Sequence, residues 1–310
     1  MRDTALVEMI WEFLNAPDWK EKGRRLRKCL IARQADVPDI ILYSAEFDDR
    51  LLAAWALAQL DPSQVDIILP VLIDGLKSQS DGRRAWAAEA CRDLGPRASS
   101  AVPALIEVLK NDEDHGDETL FARNRAIGAL GEIGPAAASA VPTLVELLHG
   151  VGPGSSIMEI IDARNSAAAL GSIGPSADAA VSALQECLNL DGSGDECIRW
   201  LRLEASEAIW RIKDVPKPAL TIATEILLSE EEWWLRCYAA ELLGKLGPTA
   251  RPAIAILQRS CNDEDEHVRK EAGKALAAIT NDRAHQNSED CCSRDSGVLG
   301  KCRLTDESSA

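Results

Sequence analysis

The chain has 310 residues, 46% hydrophobic and only 4% aromatic, and a net charge of −16 from 34 basic and 50 acidic residues. That apolar content supports a sizeable core, and its alanine-rich, strand-poor character points to an all-α protein. The acidic balance keeps the chain soluble and disfavours polyanionic partners; no recurring Lys/Arg stripe supplies a nucleic-acid groove.

Taken in chain order, residues 1–15 predict an amphipathic helix. Glu8 and Glu12 interrupt its apolar pattern and no cleavage site follows, so it does not read as a secretory signal. Residues 20–28 hold the one local basic cluster, with Lys20, Lys22, Arg24, Arg25, Arg27 and Lys28. It reads as a solvated helix face or as a contact for an acidic surface. A further helix is expected over 36–43, so residues 1–43 form a helical cap, or a degenerate repeat.

From residue 44 a single pattern recurs. Its clearest copies end at Gly95-Pro96, Gly134-Pro135, Gly174-Pro175 and Gly247-Pro248, and weaker ones at Asp61-Pro62, Lys213 and Thr280. Successive copies are 33 to 40 residues apart, the period of a stacked-repeat architecture. Eleven places before the glycine stand Arg50, Arg84, Arg123, Arg202, Arg236 and Arg269, with Arg164 one place late. Eight before it stand Ala53, Ala87, Ala126, Ser166, Ala205, Ala239 and Ala272. Four and one before it the residues are mostly Leu or Ile, with Cys91 in one copy. The steps of 3, 4 and 3 put these columns on one helix face. Glycine suits a left-handed helix end, and proline after it cannot continue that helix. A second apolar stretch follows, often with proline in its first turn, as at Pro103 and Pro142. Each unit is therefore a helical hairpin, and stacked hairpins share one core.

These R-x-x-A-x-x-A-L-x-x-I-G-P units resemble the HEAT-repeat family, in the subtype also called phycobilin-lyase-like. The resemblance covers residues 44–280. It implies an α-solenoid, a right-handed superhelical stack of about seven hairpins. It also implies a ladder in which acidic residues of the turns meet the recurring arginines. The candidates six places before an arginine are Asp117, Glu196, Glu230 and Asp263. The first two units offer Asp48, Asp49 and Asp81 closer in.

The resemblance further implies that the first helices line the concave side. Positions nine, six and two before the glycine then form an exposed stripe. Its candidate partner-binding residues are Trp55, Trp86, Glu89, Arg125, Glu132, Glu204, Arg211, Tyr238, Glu241 and Lys245. Tryptophan and tyrosine commonly anchor protein interfaces. Trp233 and Trp234 open one first helix, and at least one of them is expected to be buried.

Three longer connections, 111–118, 149–156 and 191–196, precede a first helix and should share one edge. The glycines at 150, 152 and 154 lack the Gly-Lys-Ser/Thr of a phosphate loop. Asp191, Ser193 and Asp195 begin like a calcium loop, but Glu196 stands where glycine is required and Arg202 where glutamate is. The four histidines lack the paired His-Glu steps used by metal-dependent hydroxylases built on this repeat. Nine cysteines show no C-x-x-C pair, and their odd number suits a reducing compartment, the cytoplasm. No apolar run is long enough to span a membrane. Residues 281–310 lose the periodicity and are expected to be a disordered polar tail.

The pattern predicts a non-enzymatic protein-binding scaffold with a protein partner and no cofactor or metal. The alternative, implied by the repeat subtype alone, is a phycobilin-lyase-like protein that holds a linear tetrapyrrole for attachment to cysteine.

Overall fold

A computed structural model describes residues 47–110, 117–152, 154–192, 195–229 and 232–292. The expected cap over 1–43 lies outside them, as do most of the 111–118 connection, Glu230 and the tail beyond 292. Among the described residues every regular element is helical. The chain divides into two compact units, Met1–Ile222 and Ala223–Ala310. The fold is an all-α solenoid of helical hairpins.

In the first unit the first helices of the hairpins are α1 (Phe47–Leu60), α3 (Asp81–Leu94), α5 (Asp117–Ile133), α7 (Ile157–Ile173) and α9 (Glu196–Lys213). Their partners are α2 (Val65–Leu76), α4 (Val102–Lys110), α6 (Val141–His149) and α8 (Val181–Leu188). First helices pack on first helices, and second helices form the other layer. Helix α10 (Lys217–Leu228) leads into the second unit, where α11 (Trp233–Leu246) packs on α13 (Glu266–Cys292) and α12 (Ile254–Ser260) packs beside it.

The repeat columns become the core. Ala87, Ala126, Ser166, Ala205, Ala239 and Ala272 are fully buried, as are Cys91, Leu130, Leu170 and Leu243. Small side chains at one column allow helices to approach, and the branched ones fill the remaining volume. Pro103 and Pro142 stand second in α4 and α6, where no helical N–H is missed.

The Gly-Pro signal does more than end a helix. Gly95, Gly134, Gly174 and Gly247 have φ of 55° to 69°, and ψ is −131°, −143° and −135° at Gly95, Gly174 and Gly247, a region open to glycine alone. The proline then opens a seven-residue 3-10 stretch, Gly95–Ala101, Gly134–Ala140, Gly174–Ala180 and Gly247–Ala253, kinked at Ala137 and Ala177 in the second and third. Alanines three and six places after the glycine, such as Ala137 and Ala140, are buried. Three residues per turn brings that pair onto one side. The weaker copy at Lys213 differs: Lys213 stays helical and Asp214 takes the left-handed conformation at φ 55°.

Unit length also has a structural cause. Helices α1, α3, α11 and α13 start fourteen residues before the glycine column, whereas α5, α7 and α9 start seventeen before it. The longer units thus spend three of their extra residues on nearly one more helical turn, about 4.5 Å at 1.5 Å per residue. The remainder lies in the connection before it.

Helix α13 departs from expectation. It runs to Cys292, past the end of the repeat at Thr280. No glycine or proline lies between residues 274 and 296, so nothing stops a helix already nucleated by packing. Among the described residues no helix is long and apolar enough to cross a membrane.

Candidate functional site

The side chains to weigh are those of the first helices that face away from the core. In the first unit they form a row bonded across helices. Gln59 of α1 donates to Asp93 of α3 at 3.1 Å. Glu89 of α3 accepts from Arg125 of α5 at 2.5 Å and also pairs with Arg92. Asn165 of α7 bonds Asn124 of α5. Trp55 and Trp86 are half-buried within this row, and Glu132 is exposed. Burial, then the charge of Glu89, raises the Asp93 carboxyl above its usual range despite the neighbouring arginines and Gln59.

Two expectations for the row fail on α9. Glu204 is buried rather than exposed, as is Glu207 one turn on. Both carboxylates are met by side chains of the same helix: the Trp200 indole N–H donates to Glu204 at 3.2 Å, and Arg211 donates to Glu207 at 2.6 Å. Arg211 itself remains exposed. In the second unit Tyr238 is half-buried beneath Lys245 (ammonium 5.6 Å from the ring centre), and Lys245 pairs with Glu241 at 3.1 Å.

The arginine column is not one uniform ladder. Arg236 meets the expected Asp263 in a two-pronged pair at 3.0 and 2.8 Å, and Arg269 donates to the backbone carbonyls of Asp263 and Glu264, both at 2.8 Å. One turn is thereby gripped by side chains from two successive first helices. Burial alone would raise the Asp263 carboxyl; the Arg236 and Asp265 N–H donors and the charges of Arg236 and Arg269 outweigh it and hold it below the usual range. Arg84 pairs with Asp81 and donates to the Ser78 carbonyl at 2.7 Å.

In the longer helices the same sequence column lies one turn further in, so its arginines find other partners. Arg123 reaches the buried Asp162 of α7 at 3.2 Å. Arg202 donates to the Leu188 carbonyl at 3.2 Å, leaving the expected Glu196 exposed in the first helical turn. Arg164 lies 3.8 Å from the centre of the Trp200 ring and bonds Asn165. The turn-fastening role passes to Arg199, three residues into α9, which donates to the Gly192 carbonyl at 2.7 Å. Arg50 lies over Phe47. The side chain of Asp117 lies outside the described residues.

Two of the longer connections end in helix caps. Asp195 accepts from the N–H groups of Cys197 and Ile198 at 2.9 and 3.2 Å, so this carboxylate closes the N-terminus of α9. Ser156 and Glu159 form a capping box on α7. Neither Trp233 nor Trp234 is buried. Trp233 is 44% exposed, with its ring 5.2 Å from that of His267. Both tryptophans occupy the first turn of α11, ahead of the buried columns.

Sequence reading missed a close contact beneath the row. Gly131, Gly171 and Gly244 lie three before the glycine column. A methyl group on each would stand 3.0 to 3.3 Å from Ala169, Ala208 and Ala275, five before the column on the next first helix. Glycine inside a helix is unfavourable by about 1 kcal/mol, and that cost was the readable signal.

This architecture defines a helical-repeat protein whose first helices offer a periodic, fixed surface. A family model described as HEAT repeats matches residues 220–297, and one described as PBS lyase HEAT-like repeat matches residues 83–111. These two matches identify HEAT-type repeats in those segments of the chain. The second match names a type of repeat and spans a single hairpin. No curated protein matches the sequence. Among solved structures, an engineered protein shares 21% identity over 83% of this chain and 72% of its own, with a TM-score of 0.43. A designed armadillo repeat protein in complex with the peptide (KR)4 shares 18% identity over 88% of this chain and 98% of its own, with a TM-score of 0.36.

Proposed function

We propose that this protein is a non-enzymatic scaffold that captures a protein partner along its first helices. One observation carries the reading: Gln59, Asp93, Glu89, Arg125, Asn124 and Asn165 are tied across four successive helices, the first two of which also carry half-buried Trp55 and Trp86. Side chains already held in place lose less freedom on binding, so such a row suits recognition. Aromatic anchors set among fixed polar groups are the usual centre of an interface. Tyr238 and Lys245 offer a similar element on the second unit. The odd cysteine count supports a reducing, cytoplasmic setting.

The test is capture from native cells by the tagged intact protein, alongside the Trp86→Ala/Tyr238→Ala variant. A stoichiometric partner that disappears with the variant, while helical circular dichroism is unchanged, supports the row. A partner retained at wild-type yield refutes it.

A further inference from the structure

The second unit holds a trough of roughly 1200 Å3 between the end of α10, the start of α11 and the turn from α12 to α13. Its lining shares no residue with the row of first-helix side chains. Two large apolar groups in its lining are open to solvent: Leu228 is 60% exposed and Trp233 is 44% exposed. Lone exposed apolar side chains need no explanation, but two of them in one concavity form a contiguous foothold.

The charges of the lining are acidic in balance. Among its described residues, four carboxylates stand against two guanidiniums. Arg236 is committed to Asp263 through two hydrogen bonds and lies 3.6 Å from Glu264. Asp265 spends its side chain on the N–H groups of His267 and Val268. Glu264, by contrast, has a side chain 89% exposed, and Glu232 is exposed and makes no capping bond to α11. Both exposed carboxylates can meet an incoming cation, although Glu264 shares its charge with Arg236 and the exposed Arg259 stands in the same lining. The Trp233 ring adds an aromatic surface to which a cation is attracted.

A wet trough with mixed walls suits an extended chain better than a compact apolar ligand, whose pockets are mostly apolar. We infer that this trough is a second docking site, for a protein segment that presents an arginine or lysine beside an apolar side chain. The cation sits against Glu232 and Glu264, and the apolar neighbour covers Leu228 and Trp233.

The test uses the full chain and fluorescence anisotropy with a labelled peptide of alternating arginine and leucine. A peptide of alternating glutamate and leucine serves as the control. The arginine peptide binds and the glutamate peptide does not. Trp233→Ala weakens binding at least tenfold, a typical anchor loss. Glu264→Lys weakens it several-fold, and added salt does the same. Glu146→Lys, an exposed site in the first unit with the same change in net charge, leaves affinity within twofold. Equal losses from Glu264→Lys and Glu146→Lys would mean diffuse attraction to an acidic protein and would overturn the site. Loss with Trp86→Ala but not with Trp233→Ala would move the peptide to the row and overturn it equally. Binding of the glutamate peptide would reduce the trough to an apolar patch.

Discussion

The glycine–alanine contact between first helices makes a prediction whose sign differs between two otherwise similar substitutions. Gly171→Ala places a methyl 3.0 Å from Ala208 Cα, 3.3 Å from Ala208 Cβ and 3.4 Å from Arg211 Cδ. Carbon atoms prefer separations of about 3.5–4.0 Å, so the overlap is about half an ångström. The nearest atom is backbone in a packed helix and cannot swing aside. Overpacking of this kind costs about 1–3 kcal/mol, and alanine returns about 1 kcal/mol through helix propensity. Gly171→Ala should therefore destabilise by about 1 kcal/mol. Gly128→Ala is the counterpart: its methyl meets only the Arg92 Cδ at 3.6 Å, ordinary contact with a flexible side chain. It should stabilise by about 0.5–1 kcal/mol. Urea unfolding followed by far-UV circular dichroism, with both variants against wild type, reads the difference. A Gly171→Ala protein as stable as Gly128→Ala would refute the claim that this contact sets the helix spacing.

Other expectations follow from the same structure. Because the Asp263 carboxyl is held below its usual value, its contribution to stability is full above the unfolded value of about 3.9 and is lost as pH falls through the lower folded value. Asp263→Asn should lower the unfolding midpoint at neutral pH, and the gap to wild type should close in acid; a gap that widens would contradict the Arg236 pair. Burial pushes the Cys91 thiol up to about 12, so mass spectrometry after maleimide treatment at pH 8 should find its peptide unmodified until denaturant is added. Asp195→Ala removes the cap of α9 and should cost about 1 kcal/mol of thermal or urea stability. No change would mean that backbone or water replaces the carboxylate.

The legible part of this molecule was whatever repeats. Columns such as Ala126, Leu130 and Ile133 declare a buried helix face because the 3-4-3 spacing has one geometric meaning, and the structure buries all three. The Gly-Pro junction was legible as a stop but not as a 3-10 segment, although the alanines at 137 and 140 already had its period of three. Partners of the charged side chains were harder to read, because they depend on helix register. Asp263 lies six before Arg269 in sequence yet bonds Arg236 of the preceding hairpin. Asp162 was absent from any motif and emerged only because the longer helices shift Arg123 by a turn. Glu204 looked solvent-facing by position but is buried, its carboxylate bonded by the Trp200 indole N–H of its own helix, a side-chain event that spacing does not encode. The trough of the second unit gave no sequence signal, since Leu228, Trp233 and Glu264 come from different segments.

The two helix lengths seen among the first helices carry a lesson about where this gene can change. The largest differences in unit length are absorbed upstream of the glycine column, in the first helical turn and the connection before it. The Gly-Pro segments keep seven residues throughout. Codon insertions or a foreign epitope between Gly152 and Ser155 should thus be borne lightly, since doubling a flexible loop adds only about 0.6 kcal/mol. The same insertion between Gly134 and Ala140 would throw the next helix out of phase with its neighbours. Evolution and protein engineers alike have a permissive margin on this chain, in the connections that precede the longer first helices.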